Sequence, residues 1–211
     1  RFTEVKAYAA MHRVSLPPDA GDTGTTMTRT RSAINLRPIM PDRRRPTRSY
    51  AIIGAGALGG YYGARLARAG FDVRFLFHSD YATAQAQGLR VESEEAGDLS
   101  VPADTLQAFG RAADLPPADV ALVCLKTTAN TALPDLLPHA VKPDGLAVVL
   151  QNGLGVESVA GGIVGHDRVL GGLCFLCSNK VGPAHVHHLC YGKIKLGEHT
   201  ADQSAGGITD R

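Results

Sequence analysis

"YAIIGAGALGGYYGARLARAG", residues 50–70, places glycines at 54, 56 and 59 between a short apolar run and a stretch with helical spacing. Tyr50 to Ile53 is rich in strand formers. From Ala57 to Ala69, Leu58, Tyr61, Tyr62, Leu66 and Ala69 recur at helical intervals, and Gly70 supplies a stop. Val73 to Phe77 is a second apolar run, so the spacing predicts strand, helix, strand. At such a junction a G-x-G-x-x-G pattern has a mechanical reading. The first glycine permits the tight turn, the second lets the main chain approach a pyrophosphate, and the third lets helix and strand pack closely. Phosphates would then meet unpaired N–H groups at the positive end of the helix dipole. Gly54, Ala55, Gly56, Ala57, Leu58 and Gly59 are therefore the expected cofactor cradle. Glycines that serve only turning and packing are the competing reading, and the strand before and helix after this run weigh against it.

The rest of the chain supports the same architecture. A weaker helix is expected from Tyr81 to Gln87, and "GLRVES" and "DLSVPA" read as two short strands, a hairpin around Gly97. "ADVALVCLK" (118–126) and "GLAVVLQNG" (145–153) are continuous apolar strands of the kind buried on both faces of a parallel sheet. Asn130 to Leu137 can form a helix between them. Near the end, "AHVHHL" and "GKIKLGE", separated by "CYGK", read as a hairpin. The alternation implies an α/β fold, a Rossmann-type doubly wound and mostly parallel sheet.

Composition divides the chain. Residues 1–48 hold ten Lys or Arg against four Asp or Glu, while the remainder holds twelve against sixteen. Seven prolines and glycines from Pro17 to Pro46 interrupt any apolar period, so residues 1–48 are expected to be a disordered basic extension with no nucleic-acid role. Residues 49–200 are expected to be the dinucleotide-binding domain, and residues 201–211 the start of a linker. No run of eighteen apolar residues occurs, so no membrane helix is expected.

Three strand tips carry candidate ligand contacts, because ligands of open α/β sheets sit beyond the carboxyl ends of the strands. The second strand ends in Phe77-His78-Ser79-Asp80, with no carboxylate on the strand itself to grip ribose hydroxyls. Imidazole and hydroxyl can donate to a 2′-phosphate, so NADP is favoured over NAD, and Asp80 tempers the preference. Lys126, in "CLKTT", can offer its ammonium to phosphate or to a substrate carboxylate. Asn152, in "LQNGLG", can donate and accept at once, with Gly153 and Gly155 letting the main chain come close. Taken singly, each of these would be an ordinary capping or surface group.

In that order, "IIGAGALGGYYGARLARAG", "VRFLFHSDY", "VCLKTT", "LQNGLGVE" and "VLGGLCFLCSNKVGP" resemble the 2-dehydropantoate 2-reductases, or ketopantoate reductases, over residues 50 to about 198. The resemblance implies NADPH-dependent reduction of 2-dehydropantoate, a 2-oxo acid, to pantoate on the path to coenzyme A, in the cytoplasm. It implies cofactor contacts at Gly54 to Gly59, Lys126, Asn152 and Ser178, and substrate contact at Asn152 and Lys126. The family position for the 2′-phosphate, often Arg, falls on His78. It also implies a second, helical domain that supplies the proton-donating lysine. With the chain ending at Arg211 that domain is expected to be absent, with no catalytic residue in these 211 residues and little turnover by them alone. A homodimer stays open for the full-length form.

Cys174-x-x-Cys177 with His185, His187, His188 and Cys190 invites a zinc reading. "LCFLCS" reads as a strand, where residues three apart face opposite sides, so no metal is expected. With four cysteines and no secretory signal, the resemblance to a cytosolic metabolic family implies reduced thiols. Two other readings remain: a different Rossmann hydroxyacid dehydrogenase, or a non-catalytic dinucleotide-binding module.

Overall fold

The computed structural model describes residues 48–199. The expected extension, apart from Arg48, and the expected linker lie outside the described residues.

Nine strands form one sheet: β1 (Ser49–Ile53), β2 (Asp72–Leu76), β3 (Leu89–Ser93), β4 (Leu99–Val101), β5 (Gln107–Phe109), β6 (Ala118–Val123), β7 (Val141–Val149), β8 (Val169–Gly182) and β9 (His185–Glu198). Four α-helices join them: α1 (Ala57–Arg68), α2 (Tyr81–Gln87), α3 (Leu133–Ala140) and α4 (Val156–Val164). The strand order is β4-β3-β9-β8-β7-β6-β1-β2-β5. Six of the pairings are parallel. Only β3 with β4 and β8 with β9 run antiparallel. Leaving out β3, β4 and β9, the order β5-β2-β1-β6-β7-β8 is that of the doubly wound dinucleotide fold, with its switch point between β1 and β6. The mostly parallel α/β sheet read from the sequence is thus the observed one.

Period-two alternation within apolar runs divides the core between the two faces of the sheet. Ile52, Val120, Leu122 and Val148 point to the face that holds α1, where they meet Tyr61, Tyr62 and Phe75. Ala51, Ile53, Ala121, Val123 and Val149 point to the other, against Leu133, Leu137 and Ala160 of α3 and α4. Central strands covered on both sides have no polar face, which is why their sequences read as unbroken apolar runs.

Helix α1 is enclosed from two directions. A Cβ on Gly63 would lie 2.3 Å from the Phe75 ring of β2, and one on Gly60 would lie 2.9 Å from Val186 of β9. Strands β9, β3 and β4 therefore cover the side of α1 that a simple βαβ unit would leave to solvent. The long β8–β9 ribbon makes this possible, and it corrects the hairpin expected within residues 184–198. "AHVHHL" and "GKIKLGE" belong to one strand, β9, and the reversal lies earlier, between Gly182 and His185. The "CYGK" interruption is a bulge, with Tyr191 at φ 68° and Gly192 at φ 142°.

His188 anchors that bulge. Its ring is fully buried and stacks on Tyr61 with centroids 4.2 Å apart. Nε2 lies 2.8 Å from the Tyr191 carbonyl, which can only accept, so Nε2 carries the hydrogen. Nδ1 then accepts from the Ser93 hydroxyl at 2.8 Å. The zinc alternative thus loses its central histidine to the core. Cys174 and Cys177 lie on opposite faces of β8, Cys174 half-buried toward Tyr62 and Cys177 exposed.

Other boundaries also shift. Strands β6 and β7 stop at Val123 and Val149, short of the ends expected at residues 126 and 153. The helix expected at 130–137 is a 3-10 segment, Thr127–Ala132, followed by α3. Helix α4 was not expected, since Gly161 and Gly162 with four β-branched residues give it weak helical propensity.

At the amino edge of the sheet, Asp119 accepts from the Ser49 amide and hydroxyl, each at 2.7 Å, and from Lys142 Nζ at 2.7 Å. The hydrogen bonds from Lys142 and Ser49 hold its pKa well below the ordinary carboxylate value. Because the folded carboxyl releases its proton more readily than the unfolded one, this stabilisation is complete above about pH 4 and is lost as pH falls toward the lower folded value. Asp119→Asn is expected to cost about 1 kcal/mol at pH 7, discounted for partial exposure, with the loss shrinking below about pH 4. Urea denaturation at several pH values checks this.

Candidate functional site

Three loops meet beyond the carboxyl ends of β1, β6 and β7. The first begins at Gly54, whose φ of 95° turns the chain out of β1. A Cβ there would also strike Leu125, 2.9 Å from Cδ2 and 3.0 Å from its amide nitrogen. Gly59 brings α1 onto β1 so tightly that an added Cβ would lie 2.2 Å from the Gly54 carbonyl oxygen. Gly56 differs from both: it caps α1 at an ordinary φ of −84°, and a Cβ there would meet nothing within 4 Å. The protein therefore presses on the first and third glycines and leaves space at the second.

No side chain caps the start of α1, and its first turn holds no acidic residue. The amides of that turn face outward with the positive end of the dipole uncompensated. Ala55 is buried, while Gly56, Ala57 and Leu58 are half-buried along the rim. An oxygen-rich anion fits this cradle: a diphosphate would occupy the volume that a side chain at residue 56 would fill.

The second loop follows β6. Lys126 stands three residues past the strand end and is exposed, and its ammonium makes no hydrogen bond or ion pair among the described residues. The third loop follows β7 and carries Asn152, also exposed and without a side-chain partner among the described residues. Gln151 joins the two loops, and nothing in the sequence reading singled it out. It is buried, and its Nε2 donates to the Leu125 carbonyl at 2.9 Å and to Asn130 Oδ1 at 2.6 Å. Gly153 completes the junction, since a Cβ there would lie 3.3 Å from Thr127 Cγ2. Lys126 and Asn152 therefore project from two loops that are bonded together, beside the loop that contains Gly54.

At the tip of β2, His78 and Ser79 are exposed and Asp80 is buried. Asp80 accepts from Lys180 Nζ at 2.7 Å, from the Ala184 amide at 3.0 Å and from the Ser79 hydroxyl at 3.0 Å. Burial alone would raise its pKa, but the hydrogen bonds from Lys180, Ala184 and Ser79 bring it below the ordinary value. Its charge is spent on tying the β8–β9 turn to β2, which no local pattern revealed because Lys180 lies a hundred residues away. Ser178 is half-buried, and its hydroxyl donates to the Ala57 carbonyl at 3.2 Å, so it supports the first residue of α1.

Among the described residues no three His, Cys, Asp or Glu side chains converge as a metal would require. No helix among them is long and apolar enough to cross a membrane.

Strand order, glycine turn and helix start define a protein of the Rossmann α/β class. Residues 50–201 match the family described as "Ketopantoate reductase PanE/ApbA", and the chain belongs to that family. A 2-dehydropantoate 2-reductase of Nostoc sp. is 54% identical over 164 residues, 78% of this chain and 50% of the relative. The crystal structure of 2-dehydropantoate 2-reductase from Geobacter metallireducens superposes with a TM-score of 0.69 at 42% identity, over 74% of this chain and 51% of that one. D-mandelate dehydrogenase with NADH shares the fold, with a TM-score of 0.65 at 19% identity over 72% of this chain and 49% of that one. The chain thus spans about half the length of the relatives it matches.

The two glycines separate folding from binding. Gly56→Ala is expected to leave the denaturation midpoint within about 0.5 kcal/mol of the parent. The same change should weaken binding of a diphosphate ligand at the helix start at least about tenfold, because the methyl enters the open space there. Gly59→Ala is expected to cost about 3 kcal/mol or more of stability, because a backbone carbonyl cannot step aside. Chemical denaturation alongside calorimetric titration of NADPH checks both.

Proposed function

We propose that this chain is the cofactor-binding half of an NADPH-dependent reductase that converts 2-dehydropantoate, a 2-oxo acid, to pantoate. The observation that carries this reading is the open position over Gly56 at an uncapped helix start, with Lys126 and Asn152 unpaired at the same edge of the sheet. Family membership and the relatives' names supply the reaction class.

The bound cofactor would supply the hydride. The residues of this chain bind, orient and neutralise charge. The amides at the start of α1 hold the diphosphate, and the close turn at Gly54 fixes their direction. Lys126 draws a phosphate or the substrate carboxylate into the cleft, and its exposure leaves the ammonium free to move as the ligand arrives. Asn152 can donate its amide to an oxygen of the substrate and accept from the cofactor at the same time. Gln151 holds together the two loops that carry these groups. Positioning of this kind lowers the barrier to transfer by holding carbonyl and hydride donor in a reactive geometry.

The preference for NADPH rests on charge at the β2 tip. His78 offers a ring donor, while the Ser79 hydroxyl donates to Asp80, and Asp80, the carboxylate of this tip, is buried and paired with Lys180. A 2′-phosphate therefore meets the His78 ring beside a carboxylate that is already paired.

Calorimetric titration of the chain with NADPH and with NADH tests the reading. NADPH is expected to bind at least about tenfold more tightly, the worth of one charge-assisted hydrogen bond. Equal affinities would overturn the NADPH assignment, and binding of neither would overturn the cradle. With 2-dehydropantoate added, the chain alone is expected to oxidise NADPH about a hundredfold or more slowly than a full-length reductase, since it spans about half the length of the relatives it matches.

A further inference from the structure

Cys177 and Cys190 face each other across the β8–β9 ribbon as direct register partners. The neighbouring Cys177 thiol is the largest influence on Cys190 and raises its pKa. Directly opposed residues of antiparallel strands have Cα atoms about 4.5 to 5.5 Å apart, inside the span of about 4.4 to 6.8 Å that a disulfide bridges. The register slips by one residue just beyond the pair, between Cys177 and Ser178, which gives the backbone local freedom to adjust. Both thiols are reachable, Cys177 being exposed and Cys190 half-buried.

We infer that Cys177 and Cys190 form a peroxide-oxidisable dithiol, which closes to a cross-strand disulfide within one chain. In the first step the sulfur of Cys177 attacks hydrogen peroxide: an S–O bond forms, the O–O bond breaks, and one water leaves. In the second, the sulfur of Cys190 displaces the hydroxyl from Cys177: the S–S bond forms, the S–O bond breaks, and a second water leaves. Two thiols lose two electrons, and one peroxide becomes two waters.

The surroundings set the order of events and the choice of oxidant. Cys177 is the more exposed thiol and meets a dissolved oxidant first, while the neighbouring Cys177 thiol, partial burial and the carboxylates of Glu95 and Glu94 raise the pKa of Cys190. Those carboxylates also repel anionic oxidants such as oxidised glutathione, so a small neutral peroxide is the matched reagent. The other two cysteines are poorly placed to compete. Burial pushes the Cys124 thiol well above its ordinary range and the Cys174 thiol up to about 11.

Mapping of the chain after mild hydrogen peroxide treatment tests this. Free thiols are expected to fall from four to two. A non-reduced tryptic digest should then yield residues 169–180 joined to 181–193, two hydrogens lighter than the separate peptides. Cys174→Ala should leave the link intact, and Cys177→Ala or Cys190→Ala should abolish it. The oxidised chain should melt at least about 4 °C higher, an effect reversed by dithiothreitol. Four thiols retained, a bridge that includes Cys124 or Cys174, a link only between two chains, or sulfinic acid at Cys177 without a bridge would each overturn the inference.

Discussion

The contact between the Gly59 backbone and the Gly54 carbonyl fixes everything built above it. Helix α1 can start directly over the carboxyl edge of β1 only because residue 59 has no side chain, which would otherwise lie 2.2 Å from that oxygen. The helix direction follows from that approach, and with it the direction of the amides in its first turn. Phe75 and Ile52 then fill the space along Gly63, and Val186 and Leu89 fill it along Gly60. Packing and ligand geometry thus share one cause, the close passage of two main chains.

The candidate site is organised by charge as much as by shape. At the β1 tip a helix end carries partial positive charge with no acid in its first turn, and at the β6 tip Lys126 adds a full one. Asp80, which could have opposed them at the β2 tip, is turned inward to Lys180 and the Ala184 amide. An edge with this distribution suits a ligand that carries several phosphates.

Local regularities carried most of the fold into the sequence. The βαβ unit was legible because its apolar periods change at glycines, and the buried strands because apolar residues fill both faces of β6 and β7. The positions of Gly54, Gly56, Gly59, Lys126 and Asn152 near one edge followed from strand ends alone. What escaped depends on partners distant in the chain. The Tyr191–Gly192 interruption resembles a turn locally, and only the His188 bond to Tyr191 and the stack on Tyr61 make it a bulge inside one strand. Gln151 looks like any polar residue at a strand end until Leu125 and Asn130 are brought to it. Helix α4 has poor intrinsic propensity and is held by burial of Val156 and Ala160 against the sheet.

The enclosure of α1 has a consequence for how the chain reaches its native state. The helix leaves the ribosome before the strand that covers its outer side, since β9 begins more than a hundred residues later. Until then Tyr61, Gly60 and their neighbours present an unfinished apolar flank, which invites premature association with other nascent chains. Parallel pairing of β3 with β9 joins Arg90 to His185, so completion of the sheet demands closure of a long loop late in folding. The β8–β9 ribbon, synthesised after α1, is thus the clasp that makes that helix safe from aggregation.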